Sequence, residues 1–398
     1  MPGTVEQQGM AMTPEAMAQM ASMGQQEQPP QDPSLLTTIS SSTGYQQAAT
    51  TDNTGTMPEF GQLPDSSTTG GRRNLRHRRR LLEAAPLDSA GAADLSEYVQ
   101  NHDRYNMLVN FDQDLPFQPA TQTPYFWHIH KSGGSTMKHL MTCLNRTQTR
   151  RIDVPNCNDQ ESTLKICVLE WGTIVNCDAS SPEGIERTSR LHLVERAVPN
   201  LVIDTSRVYE ATSVFTPNHR GRLFVVLRDP VERAVSKFYY TKIATWERNY
   251  KPEMANMTML EFADSRYNYN NWVTRRLVHK MRPDQEITEQ DLSVAKEILR
   301  QKALILLTRN LTEGVQRLVQ YFGWSVTPYQ QSCVNKFAVE EPVNSNPHPV
   351  PSPDSEGYQA IRAHNLFDVR LYEYAQELYE AQGKFLQQRQ GHMSQSGR

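Results

Sequence analysis

Residues Tyr125–Leu144 read YFWHIHKSGGSTMKHLMTCL, and their reading decides the fold. Tyr125 to Ile129 has the apolar character of a short buried strand, His130 to Ser135 is a loop with two adjacent glycines, and a helix follows. In that helix Met137, Leu140, Met141 and Leu144 recur at i, i+3, i+4 and i+7, a single apolar face at helical period. A strand, a tight loop and a helix start leave backbone N–H groups unpaired at the positive end of a helix dipole. Adjacent glycines let the main chain approach an anion closely. Lys131, Ser132, Ser135 and Thr136 add a charge and hydroxyls, so the stretch predicts a phosphate cradle.

The second strong unit is Arg222–Ile243, RLFVVLRDPVERAVSKFYYTKI. Leu223 to Leu227 predicts a strand. Asp229, Pro230 and Glu232 fall at N-cap, N1 and N3 of the next helix, an acidic capping box with proline where its missing N–H costs nothing. Arg228 therefore stands at the carboxyl end of a strand and Ser236 two turns into a helix. Further strands are expected at Cys167–Trp171, Leu201–Asp204 and Ala303–Leu307, and a helical pattern at Val208–Phe215. A capping box opens a helix at Thr258, an amphipathic helix is expected over Thr288–Lys302, and helices are expected over Asn270–Met281 and Leu366–Leu386. Gly323 sits where a helix ends. Arg146–Glu161 reads as a polar loop and Glu341–Gly357 as a proline-rich one.

Strands alternating with helices predict an α/β, P-loop-like three-layer fold: a central, mostly parallel sheet flanked by helices. Ligands in such sheets bind beyond the carboxyl ends of the strands. Both the cradle and Arg228 are expected there, which predicts one shared site.

The rest of the chain sets limits. Of 398 residues, 37% are hydrophobic, and the apolar deficit lies in the first hundred. Residues 1–95, rich in Gln, Ser, Thr, Gly and Pro, are expected to be a disordered tail, with residues 96–398 as the folded domain. The tail carries the basic run Arg72-Arg73-Asn-Leu-Arg76-His-Arg78-Arg79-Arg80, read as a solvated charge run ahead of a nuclear signal, an anionic partner's site or a processing site. A net charge of −3 is no pointer to nucleic acid, and no such partner is expected. The cysteines Cys143, Cys157, Cys167, Cys177 and Cys333 contain no CxxC pair, so zinc is not expected. Four lie close together, which suits one or two disulfides in an oxidising lumen as well as it suits free cytosolic thiols. Sequons at Asn145, Asn256 and Asn310 lean weakly towards the lumen. No stretch reaches the ~20 apolar residues of a membrane span, and the sequence opens without a signal peptide.

A nucleoside-triphosphatase loop places its lysine after the glycines and uses a hydroxyl on magnesium. Here Lys131 precedes Gly133 and Gly134, where an ammonium meets a bridging or leaving-group oxygen instead, and no strand ends in a clear magnesium carboxylate. HIHKSGGSTMKHL resembles the 5′-phosphosulfate loop of carbohydrate sulfotransferases, and LRDPVERAVSKFYY resembles their 3′-phosphate motif, L-R-D-P-x-x-R-x-x-S. The heparan sulfate 6-O- and 2-O-sulfotransferases are the relatives resembled, with further agreement at Ala244–Trp246, Tyr267–Leu277 and Phe367–Tyr379. The resemblance runs from Tyr125 to the C-terminus.

It implies 3′-phosphoadenosine 5′-phosphosulfate (PAPS) as sulfuryl donor, with no metal. Lys131, Ser132, Gly133, Gly134, Ser135 and Thr136 would hold the phosphosulfate, and Arg228 and Ser236 the 3′-phosphate. A base between the two motifs would take the acceptor proton, with His192 placed first and Asp204, Glu210 and His219 as rivals; Lys131 and His192 would be the catalytic pair. Of the histidines flanking the cradle, His128 is expected to pack and His130 to line the site. The resemblance further implies a glycan acceptor and a Golgi setting, with membrane attachment through a segment not seen in this chain and the tail as stem. The competing readings are a kinase-like phosphotransferase on the same fold and a nucleotide-binding protein without activity.

Overall fold

The computed structural model describes residues 89–396, apart from 113–114, 160–161, 246, 248–249 and 341–346. The tail reading over residues 1–88 and its basic run lie outside the described residues. In chain order come α1 (Ser89–Asn101), β1 (Gln122–Trp127), α2 (Gly134–Cys143), β2 (Thr147–Thr149), β3 (Asp153–Val154), β4 (Cys157–Asn158), β5 (Ile166–Leu169) and β6 (Gly172–Val175). Then follow α3 (Pro182–Arg190), β7 (Leu201–Thr205), β8 (Arg220–Leu227), α4 (Pro230–Ile243), α5 (Met259–Asp264), α6 (Trp272–Leu277) and α7 (Glu289–Lys302). Last are β9 (Ala303–Leu307), α8 (Leu311–Phe322), α9 (Pro328–Asn335), α10 (Glu356–His364) and α11 (Leu366–Ser396).

Seven strands form one sheet in the order β5-β6-β2-β7-β1-β8-β9. Every pairing is parallel except β5 with β6. β1 is central: Tyr125 lies opposite Ile203 of β7 and Leu223 of β8. From β1 the chain leaves towards β2 on one side, while β8 leads on to β9 on the other. The strand order thus diverges beside β1, where a parallel sheet opens a crevice at its carboxyl edge.

Alternation along the strands makes the three layers. Tyr125, Trp127, Ile203, Leu223, Val225, Ile305 and Leu307 face a core shared with α7 and with Leu371, Tyr374 and Leu378 of α11. Phe126, Val202, Phe224, Val226, Leu304 and Leu306 face the opposite core, with Met137, Leu140 and Met141 of α2 and Val315 and Leu318 of α8. Both faces of β1 are covered, which is why Tyr125–Trp127 is continuously apolar. The edge strand β9 is closed by a side chain rather than another strand: Gln382 of α11 accepts from Ile305 N at 2.9 Å and donates to Ala303 O at 2.8 Å.

Several expectations are met closely. β9 has the expected bounds, Thr258 makes a full capping box, the helix expected over Thr288–Lys302 forms as α7 with Thr288 as its cap, and Gly323 ends α8 at φ 62. Others are corrected. Arg146–Glu161 is not a plain loop, because Thr147–Thr149 forms an inner strand. The strand expected at Cys167–Trp171 forms as β5, ending at Leu169, and a second strand, β6, pairs with it as a hairpin. Val208–Phe215 forms a 3-10 turn over Glu210–Val214 rather than an α-helix, and the helix expected over Asn270–Met281 is only α6. At α4, Asp229 accepts from Val231 N and Glu232 N, but Glu232 turns away to Arg228 at 3.2 Å, so the box is one-sided. The described residues begin within the expected tail, with α1. Residues 341–346 of the proline-rich loop lie outside the described residues, and its end, Glu356 and Gly357, opens α10. α11 runs on to Ser396.

Two disulfides are present, Cys143–Cys333 and Cys157–Cys167, and Cys177 is free and buried. The first bridge reaches outside the local cysteine cluster and ties the far end of α2 to α9. Among the described residues no helix is long and apolar enough to cross a membrane.

Candidate functional site

The cradle is built at the carboxyl end of β1. After Trp127 the chain turns through His128–Gly133, with Lys131 and Gly133 both left-handed at φ 64 and φ 79, and enters α2 at Gly134. No side chain caps α2, so its first-turn amides and dipole face the loop. The Ser132 hydroxyl is buried and has no partner among the described residues, a donor turned inward that an incoming anion would satisfy. Gly134 is demanded by a close approach: a Cβ there would stand 1.9 Å from His128 Nε2. Thr308, just past β9, ties the loop down through Ser132 O at 3.3 Å and Leu227 O at 3.2 Å.

Arg228 reaches this loop. Its Nη1 donates to Lys131 O at 3.3 Å while Nε pairs with Glu232. The two sequence motifs are therefore in contact, as their shared position at strand ends predicts. Ser236 is buried on α4, one turn beyond Glu232. Lys131 projects over the Tyr240 ring, 3.9 Å from its centroid. Burial, with Arg228 adding to it and Glu247 opposing, lowers its ammonium to a pKa of about 8.

Beside Arg228, further cations converge here: Arg233, the second arginine of the L-R-D-P-x-x-R-x-x-S motif, and two lysines. On α4, Arg233 and Lys237 lie one turn apart. Burial and then Arg233 bring Lys237 down to about 8, and burial lowers Arg233 despite Asp368 at 3.7 Å. Arg233 also lies over Trp272, 5.6 Å from its centroid, and Trp272 stacks on Trp127. Lys138 of α2 pairs with Asp204 at 3.0 Å, and Asp204 also meets His128 Nδ1 at 3.4 Å. Burial would raise Asp204, but the hydrogen bond from His128 and the charge of Lys138 outweigh it and hold the carboxyl below its usual range. It is a fixed anion that positions two groups of the cradle. In the sequence Arg233 and Lys237 stand at i and i+4, a spacing that puts both on one side of α4.

His130 lies within this ring of charge. It is open to solvent yet walled by protein, its ring 5.5 Å from that of His128. Burial first, then His128, Lys138, Arg233 and Lys237, push its pKa down to about 4.

The base candidates separate. Asp204 is beneath the cradle, locked in its ion pairs. Glu210 bridges Arg207 at 3.3 Å and Arg276 at 3.2 Å. His192 is not brought to the cradle: it is exposed, pairs with Glu195 at 3.4 Å, and precedes the amino end of β7. Glu195 accepts from Thr216, and His219 contacts Thr123 Oγ1 at 2.8 Å. These groups adjoin the starts of β8 and β1, about 20 Å of strand away from the crevice. The resemblance places His192 first as the base; the topology puts it at the opposite edge. Trp246, another position of the resemblance, lies outside the described residues. Among the described residues no group of three or more His, Cys, Asp or Glu is set to hold a metal ion.

Comparison with known proteins agrees with this geometry. A model of the sulfotransferase family matches residues 124–375, from β1 into α11, and so takes in the cradle, Arg228 and Ser236. No curated protein gives a significant match.

Proposed function

We propose, from the premise that the chain belongs to the sulfotransferase family, that it transfers a sulfuryl group from PAPS to a hydroxyl of a glycan. The observation that carries the donor assignment is the contact between Arg228 and the cradle beside the unpartnered Ser132 hydroxyl. The residues present fit such a donor. The α2 amides and Ser132, Ser135 and Thr136 would hold the phosphosulfate, and Arg228 with Ser236 the 3′-phosphate, the former by a charge-assisted contact. In transfer, charge develops on the bridging oxygen as the S–O bond breaks. The Lys131 ammonium and the fixed N–H dipoles are placed to stabilise it without rearrangement.

The glycan acceptor rests on the resemblance of both motifs to carbohydrate sulfotransferases. Two disulfides support an oxidising compartment, consistent with a Golgi lumen and with attachment to its membrane through a segment outside the described residues.

The test is calorimetric titration of the full chain with 3′-phosphoadenosine 5′-phosphate (PAP), with and without magnesium, beside Arg228→Ala. Micromolar binding, indifferent to magnesium and weakened by the substitution, is expected. Binding of magnesium–ATP in place of PAP would overturn the assignment in favour of a phosphotransferase. PAP binding with no sulfuryl transfer to any acceptor, water included, would make the chain a nucleotide-binding protein.

A further inference from the structure

The proposed reaction needs a group to take the acceptor's proton as its oxygen attacks sulfur, and the four candidates named between the two motifs are not placed to supply one. Asp204 is committed to Lys138 and His128 and is buried. Glu210 is held between two arginines. His192 and His219 adjoin the amino ends of the strands.

Building on the proposed sulfuryl transfer, we infer that His130 is the catalytic residue that accepts the proton of the attacking hydroxyl. Three observations carry this. His130 directly precedes Lys131, so the base and the cation for the leaving oxygen leave the end of one strand together. The residue is exposed to solvent beyond the carboxyl end of β1, where an acceptor can enter. Among the described residues nothing hydrogen-bonds to its imidazole, whereas its neighbour His128 is engaged by Asp204.

The surroundings explain how it is kept ready. Burial first, and then His128 just past β1, Lys138 on α2, and Arg233 and Lys237 on α4, disfavour an imidazolium. The neutral ring is therefore present across the physiological range. A neutral imidazole in that field is a feeble base, since its pKa is about 4. Donor binding corrects this: several negative charges among the same cations offset their field and raise the basicity of His130 when a proton is to be moved. In the step itself the acceptor oxygen forms the new S–O bond. The bond to the bridging oxygen breaks, with its electron pair leaving on the 5′-phosphate of PAP. The hydroxyl proton passes to the imidazole and then to solvent.

Three measurements on the full chain test this. Calorimetry with PAP should give wild-type and His130→Gln dissociation constants within about threefold of each other. Histidine-selective NMR should place the His130 midpoint near 4 in the free chain and move it up by at least about one pH unit on PAP binding. PAP release from PAPS, with water or desulfated glycosaminoglycan as acceptor, should fall about 10²- to 10⁴-fold in His130→Gln. The acid limb of the wild-type rate, lost as pH drops through the His130 pKa, should vanish in the variant. Unchanged turnover in His130→Gln, or a midpoint that ignores PAP, overturns the role of His130 and leaves the donor site intact. Absent PAP binding, or binding without turnover by the wild type, overturns the sulfuryl-transfer reading and this inference with it.

Discussion

The two edges of the sheet each carry a pair of histidines, and they live in opposite electrical surroundings. At the amino edge His192 has Glu195 beside it, and His219 has the Thr123 hydroxyl as partner. At the carboxyl edge His128 and His130 share a crevice with Lys131, Lys138, Arg228, Arg233 and Lys237, against which Asp204, Glu232 and Asp368 are paired. One edge balances its charges locally. The other keeps an excess of positive charge in partly desolvated positions, shown by two lysines lowered to about 8. Such repulsion costs stability in the free protein and is relieved by an anion, so the difference marks where a ligand belongs.

Substitutions at the two edges should differ accordingly. The largest effect is expected from Gly134→Ala. The new methyl must displace His128, which Asp204 and the stack on Phe126 hold in place. Destabilisation of about 1–3 kcal/mol in urea unfolding is expected, with PAP binding lost in calorimetry. Full binding in a stable variant would show that the cradle is looser than its geometry.

Arg228→Ala comes next. Removing a charge-assisted contact to a phosphate of about 1.5–3 kcal/mol should weaken PAP binding roughly ten- to a hundredfold, while melting temperature stays within a few degrees.

The pH dependence of PAP binding should be smaller but more diagnostic. Lys131 and Lys237 have folded pKa values of about 8, below the ordinary lysine value. In the free protein both lose charge as pH rises through 8, and bound anion favours the charged forms. Affinity should therefore fall between pH 7 and 9, by up to about tenfold per unit for each lysine involved, with proton uptake on binding at pH 9. Calorimetry in buffers of different ionisation enthalpy reads this directly. A flat profile would remove both lysines from the site.

The smallest effect is expected at the amino edge. His192→Ala, at an exposed ion pair, should change stability by no more than about 0.5 kcal/mol and leave PAP binding and turnover untouched. A large loss of turnover would erase the contrast between the two edges and restore His192 as a candidate base.

These edges also show what the sequence could and could not tell. β1, β8 and β9 were legible through Tyr125–Trp127, Leu223–Leu227 and Ala303–Leu307, which are buried on both faces and continuously apolar, and α4 because Asp229 and Pro230 announce its start. β2 was not, since Thr147, Gln148 and Thr149 have the composition of a loop. It is a strand because the neighbouring β6 and β7 pair with it. The cradle and Arg228 could be placed together because both follow strands directly, and the end of a parallel strand has one address. His192 could not be placed that way. It lies in a connection returning from α3 to β7, and chain separation from Arg228 does not report which edge a returning segment has reached. The cations Arg233 and Lys237 were present in the helix pattern, but only the packing of α4 against the crevice gives them a common target.

The close fit of Gly134 over His128 makes these two positions one unit of inheritance. A larger residue at 134 becomes admissible only when 128 shrinks, and a smaller residue at 128 releases 134 from glycine. Among related chains the pair should change together or not at all. Gly134→Ala should accordingly be rescued in folding by a second change, His128→Ala, that would on its own be harmful.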